Sequence, residues 1–163
     1  MATIRVQEVI EAALSVAKLH MKQGHIEIVT HLSPDLPPIL ANQGLLQQVL
    51  VNILLNARDA LEQGGILSVA TGFENSSWIT IRISDTGTGI KPEDIQNIFA
   101  PLFTTKREGK GTGLGLSISQ DIVKSHNGTL EVESVPGKGA TFIIRVPSPN
   151  QSSSTCAGYK YCY

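Results

Sequence analysis

Four glycines, Gly109, Gly111, Gly113 and Gly115, alternate directly ahead of a segment in which Leu114, Ile118 and Ile122 recur one helical turn apart. A run this poor in side chains adds nothing to a core, but its backbone N–H groups can wrap phosphates. The predicted helix adds the unpaired N–H groups of its first turn and the positive end of its dipole. A triphosphate fits there. The run never places Gly at i, i+2 and i+5 as a dinucleotide fingerprint does, and it lacks the Gly-Lys-Ser/Thr ending of a P-loop. The two commonest nucleotide-binding folds are therefore excluded locally. A flexible linker is the plain alternative, although a linker is not normally followed at once by helical apolar spacing.

The 163 residues suit one domain, which at this size buries roughly 70% of the surface its unfolded chain exposes. Lys and Arg total 13 against 14 Asp and Glu, a net charge of −1, so nothing attracts nucleic acid or an anionic membrane. No apolar run reaches the ~18 residues that span a bilayer, and Met1-Ala-Thr-Ile-Arg-Val6 lacks the layout of a signal peptide. These features predict a soluble, cytoplasmic chain without direct membrane contact. The only cysteines, Cys156 and Cys162, are too local to staple a fold and too few to build a zinc site.

Helical spacing over residues 6–22 ends at Gly24 and leads to a β-branched strand at 26–30. Pro34, Pro37 and Pro38 force a loop, after which Asn42 caps a long helix over 43–62. Strands at 67–73 and 78–84 flank a polar hairpin turn at Glu74-Asn-Ser-Ser77. A glycine-rich stretch with little apolar periodicity occupies 86–112. A helix over 114–125 stops at Gly128, and strands at 129–135 and 140–146 surround Pro136-Gly-Lys-Gly139. From Pro147 onward no core-forming pattern remains, so residues 1–147 are predicted as the domain and 148–163 as a disordered tail.

On the second long helix, Leu46, Val49, Leu50, Ile53, Ala57, Ala60 and Leu61 cover one arc, and Gln48, Asn52, Asn56 and Asp59 form a polar stripe at its edge. Such a stripe lines a cleft, and its amides can offer oxygen to Mg²⁺. Alternatively, the amides bond neighbouring backbone. Asp85 follows a strand and precedes Thr86-Gly-Thr-Gly89, where a flat ring can slide over residues without side chains. Its carboxylate can accept from the adenine amino group and would repel the O6 of guanine. An ordinary Asp-Thr-Gly turn is the plain alternative.

Together these islands resemble the ATP-binding catalytic domain of sensor histidine kinases, in the superfamily of Bergerat fold shared with gyrase, mismatch-repair and chaperone ATPases. The resemblance spans residues 4–147. Gln48-Val-Leu-Val-Asn52-Ile-Leu-Leu-Asn56-Ala is similar to the N box and Asp85-Thr-Gly-Thr-Gly89 to the G1 box. Ile98-Phe-Ala-Pro-Leu-Phe103 is similar to the F box, residues 109–115 to the G2 box, and Gly139-Ala-Thr141-Phe to a late strand whose Thr reaches adenine through water. Five motifs in this order are specific. Asn56-Ala-Arg-Asp-Ala-Leu61 looks like the nitrogen-regulation subtype, with Asp59 where another branch has a basic residue.

The resemblance implies a two-layer α/β sandwich, its mixed and mostly antiparallel sheet faced by three helices. It implies ATP and Mg²⁺ as cofactors: Asn56 gives the metal an oxygen, Asp85 binds adenine, and Gly87, Gly89 and Ile90 shape the base pocket, with Thr141 behind. Asn52 and Lys106 serve catalysis on the phosphate side. Asp59, Thr105, Lys110, Gly111, Thr112, Gly113, Leu114, Gly115 and Leu116 complete the nucleotide site, and residues 99–111 form a mobile lid. Lys106 and Lys110 are alternative phosphate contacts. Hydrolytic relatives carry Glu where this chain has Asn52, and an amide is no general base. That favours γ-phosphoryl transfer to a histidine over hydrolysis. The acceptor would lie on a separate dimerisation domain, with a response regulator as indirect partner, because His20, His25, His31 and His126 all lack the acceptor context. The isolated chain is expected to be monomeric, and a full-length parent membrane-associated. A conformational ATPase, a nucleotide-sensing module and a protein serine kinase are the alternatives.

Overall fold

The computed structural model describes residues 1–21, 25–106 and 111–149. Its elements in chain order are β1 (Ala2–Ile4), α1 (Val6–His20), β2 (Ile26–His31), β3 (Ile39–Ala41), α2 (Gln43–Ala60), β4 (Gly65–Glu74), β5 (Trp78–Asp85), α3 (Pro92–Ile95), α4 (Gly115–Ser125), β6 (Thr129–Val135) and β7 (Gly139–Pro147). The main sheet runs β2-β4-β5-β7-β6, and β1 pairs with β3 in a separate ribbon. Only β2 and β4 run parallel; the other main-sheet pairs are antiparallel. The long helices α1, α2 and α4 form the second layer, as the resemblance implies.

The layers meet because each element is apolar on one face. Val6, Val9, Ile10, Ala13, Leu14 and Ala17 of α1 are buried at helical spacing. Ile79, Ile81 and Ile83 alternate inward along β5. Ile10, Ala13, Leu50, Leu54, Val69 and Ile83 come together where α1, α2, β4 and β5 meet. Removing one such Leu or Ile side chain costs about 2–5 kcal/mol.

Asn42 caps α2 as expected, its Oδ1 accepting from the N–H of Leu45 at 3.1 Å. The hairpin expected at Glu74–Ser77 also forms: Asn75 and Ser76 have φ of 52° and 51°, the paired left-handed residues of a type I′ turn.

Several features differ from expectation. Three-residue β1 and β3 are too short to reveal alternation, and α3 is a single turn opened by Pro92 within the glycine-rich stretch. The second helix ends at Ala60, not Glu62. Asn127, with φ 55°, breaks α4, and the Gly128 N–H closes the end on the Val123 carbonyl at 3.0 Å. Gly128 is needed for another reason: a Cβ there would run into the Arg145 carbonyl oxygen. Ser148 is buried, and its N–H donates to the Ser77 carbonyl at 2.8 Å, so ordered chain continues past the expected boundary. Gly24, Gly109, Lys110, Cys156 and Cys162 lie outside the described residues. Among those described, no helix is long and apolar enough to cross a membrane.

Candidate nucleotide site

Asp85 ends β5 opposite Leu67, on the sheet face that packs against the helices, and is 6% exposed. Burial pushes its carboxyl above the ordinary value, opposed by backbone hydrogen bonds from Gly87 and Ala140. The Gly87 N–H donates to Oδ1 at 2.8 Å. Such a carboxylate is held in one orientation before any ligand arrives.

Glycine is required around it because backbone passes on both sides. A Cβ on Gly87 would strike the Ala60 carbonyl at the end of α2, and one on Gly89, whose φ is 70°, would strike the Val135 carbonyl. Gly139 has φ 92° and lies against the Asp85 carbonyl. The 86–90 loop is thus threaded between α2 and the β6–β7 hairpin, and Ile90 packs against the core.

Thr141 does not join Asp85. Its Oγ1 lies 2.9 Å from Ser84 Oγ, its cross-strand partner. Adjacent strand residues face opposite sides, so the Thr141 side chain is on the outer face of the sheet and Asp85 on the inner. Ala140, through its backbone, is the neighbour of the carboxylate, which corrects the expectation for Thr141.

At the other end, α2 and α4 touch. Asn52 Nδ2 donates to Ser119 Oγ at 3.0 Å, and a Cβ added to Gly115 would overlap the Asn52 amide. Gly115 therefore lets the start of α4 approach the α2 stripe. No side chain among the described residues caps α4, which leaves its first-turn N–H groups for another acceptor. An open cavity of about 470 Å³ runs alongside, lined by Val51, Asn52, Leu55, Gly115, Ile118 and Ser119 among others.

One turn along α2, Asn56 Oδ1 accepts from Lys106 Nζ at 3.1 Å, and the same ammonium pairs with Asp59. Arg58 holds the other Asp59 oxygen. Burial disfavours the Asp59 carboxylate, but hydrogen bonds from Lys106 and Arg58 outweigh it and set its pKa below the ordinary value. Thr104 Oγ1 accepts from the Lys106 N–H at 3.1 Å, and Gly111 packs against the Lys106 side chain. Thr105 and Thr112 are exposed, the latter's hydroxyl accepting from the Leu114 N–H at 3.4 Å. The Leu102 N–H donates to the Gly113 carbonyl at 2.9 Å, both residues being left-handed. Leu114 is 38% exposed and Leu116 half-buried against the core.

Asn52, Asn56, Asp59, Lys106, Gly111 and Gly115 thus gather between α2 and α4, while Asp85, Gly87, Gly89 and Ile90 gather at the β5 end. Sequence reading missed Ser119, Ser134 and Arg58. Ser119 is one helical turn beyond Gly115 and could have been placed by phase; Ser134 carries no such signal. His126 is buried, its Nε2 accepting from the Asn42 N–H at 2.9 Å and its Nδ1 donating to the Ile122 carbonyl at 2.7 Å. It is a packing histidine, as expected, and His20, His25 and His31 are exposed.

The sequence and fold are similar to those of known proteins. The chain is 38% identical over 152 residues to the signal transduction histidine-protein kinase AtoS of Escherichia coli (strain K12), matching 93% of this chain and 25% of AtoS. It therefore spans a quarter of the length of that relative. The mycobacterial sensor histidine kinase MprB superposes with a TM-score of 0.81 at 25% identity, over 90% of this chain and 97% of that one. Full-length ShkA in complex with AMPPNP superposes with a TM-score of 0.80 at 27% identity, over 90% of this chain and 30% of that one. Residues 41–150 match the family described as histidine kinase-, DNA gyrase B- and HSP90-like ATPases. The chain belongs to that ATPase family, in the branch of the sensor histidine kinase catalytic domains.

Proposed function

We propose that this domain binds Mg-ATP and transfers the γ-phosphoryl to a histidine on a separate dimerisation domain, from which a response regulator receives it in two-component signalling. The observation carrying this reading is Asn52, an amide tied to Ser119 beside the open start of α4, where a hydrolase needs a general base. Asp85 takes the adenine amino group, in keeping with its fixed orientation above Gly87 and Gly89. Phosphates reach the segment from Thr112 to Leu116 that leads into the first turn of α4, where N–H groups and the dipole favour anions. The AMPPNP bound by the ShkA structure supports the same ligand class here.

The donors fit a hard cation. Asn56 Oδ1 and the Asp59 carboxylate already share the Lys106 ammonium, and oxygen donors suit Mg²⁺. Asn56 would hold the metal, with Asp59 beside it, and the metal would neutralise phosphate charge. Asn52 borders the phosphates without activating water. Lys106, once free of Asn56, supplies a positive charge near the transferred group. The cavity beside Asn52 leaves that end open to another protein, which suits transfer more than hydrolysis. Residues 1–147, closed by Ser148, form the catalytic domain acting in the cytoplasm.

Labelled ATP, mixed with the chain and with candidate helical-hairpin domains, tests this reading. Acid-labile, base-stable label on the added domain supports it. Acid-stable label would indicate a serine kinase instead.

A further inference from the structure

We infer that Ser134 is a positioning residue for the base end of the nucleotide site, an inference that rests on the ATP-binding reading above. Ser134 is in β6, opposite Ala140, and the preceding Gly139 lies against the Asp85 carbonyl. Its hydroxyl donates to the Gly139 carbonyl at 2.8 Å and accepts from the Ile90 N–H at 2.8 Å. A hydroxyl has one hydrogen and two lone pairs, so both bonds form at once. One side chain therefore joins the last residue of the glycine loop to the hairpin strand that borders Asp85.

The loop has few other ties on that side. The Gly137 N–H donates to the Thr88 carbonyl at 2.8 Å, and Gly89 packs on the Val135 carbonyl. Gly87 and Gly89 have no side chains to hold them, so the hydroxyl restricts a segment that would otherwise sample many backbone conformations. Losing it leaves the Ile90 N–H without its partner and lets the loop move away from Asp85. The groups assigned to phosphate and metal, Asn52, Asn56, Lys106 and the start of α4, have no hydrogen bond to Ser134 among the described residues. Its influence should fall on the base and not on the phosphates.

Binding of adenosine, ADP, ATP and GTP to the wild-type chain and to Ser134→Ala, measured by calorimetry, tests this. The variant should weaken adenosine, ADP and ATP by one common factor, up to about tenfold, the scale of a single hydrogen bond. GTP should weaken less, so preference for ATP over GTP should fall; a general loss of stability would leave that ratio unchanged. Wild-type affinities and ratio in the variant would overturn the role of Ser134 alone, whereas a wild-type chain that binds no ATP would overturn the reading beneath it. Amide exchange at Ile90 in the wild-type chain gives a test that does not depend on the variant folding. Saturating adenosine should slow it at least about tenfold, because base binding and the Ile90–Ser134 bond are coupled. Unchanged exchange would contradict the inference.

Discussion

Lys106 places its Nζ 3.1 Å from Oδ1 of Asn56, on the oxygen proposed for the metal. Its ammonium also pairs with Asp59, so the α2 stripe already holds a cation. Binding of Mg-ATP should then displace Lys106 from Asn56, because the ammonium and a divalent cation on the same oxygen repel each other. Lys106→Met should lower the Mg²⁺ concentration that half-maximally supports ADP binding, by about threefold to tenfold, the scale of an ordinary intramolecular hydrogen bond. Titrating Mg²⁺ against a fixed ADP concentration reads the shift directly. Asn56→Ala should do the reverse, weakening ADP chiefly when Mg²⁺ is present and much less with chelator. Equal loss in both conditions would make Asn56 a structural residue.

Asp85→Asn should weaken ATP by about thirtyfold or more, since a charge-assisted bond in a buried pocket is replaced by an amide that can turn its NH₂ toward the adenine amino group. The fold should persist. Burial raises the Asp85 pKa, so ionising this group costs more in the folded than in the unfolded chain. That cost is absent below the unfolded pKa and complete above the folded one. The nucleotide-free wild type should therefore gain stability relative to Asp85→Asn as pH falls through that window. Thermal unfolding of both proteins from neutral to acid pH checks the sign.

Gly115→Ala addresses the contact between α2 and α4. The new methyl would overlap the Asn52 amide, which would turn aside and lose its bond to Ser119, at a cost of about 0.5–1.5 kcal/mol. ATP affinity should drop because the displaced amide and the methyl crowd the start of α4 beside the phosphates, while adenosine affinity stays near that of the wild type. Comparing the two ligands by calorimetry distinguishes a local shift from general destabilisation.

Much of this site could be read from residue order, for reasons of periodicity. Asn52, Asn56 and Asp59 are four and three residues apart, which on any helix aligns them, and Asp85 ends an alternating run that could only be a strand. Thr141 shows the limit. Strand residues alternate faces, so a shift of one position exchanges Ala140 for Thr141 beside Asp85, and the register of β7 on β5, which places Thr141 opposite Ser84, decides it. The pairing of Lys106 with Asn56 spans 50 residues and depends on the path of an irregular segment, which no local pattern encodes. The Ser134 bridge is hidden for the same reason. Elements of three or four residues, β1, β3 and α3, are shorter than the window in which periodicity can be recognised.

The most direct measurement follows phosphate release and protein labelling from ATP, using the chain alone and then with a cognate helical-hairpin domain bearing an acceptor histidine. Asn52 does not activate water, and positioning of the acceptor supplies a large part of the rate of such transfers. The chain alone should bind ATP yet release little phosphate and acquire no label, and the added domain should become labelled at histidine. Rapid phosphate release by the chain alone, unaffected by the added domain, would contradict phosphoryl transfer and indicate a hydrolytic ATPase.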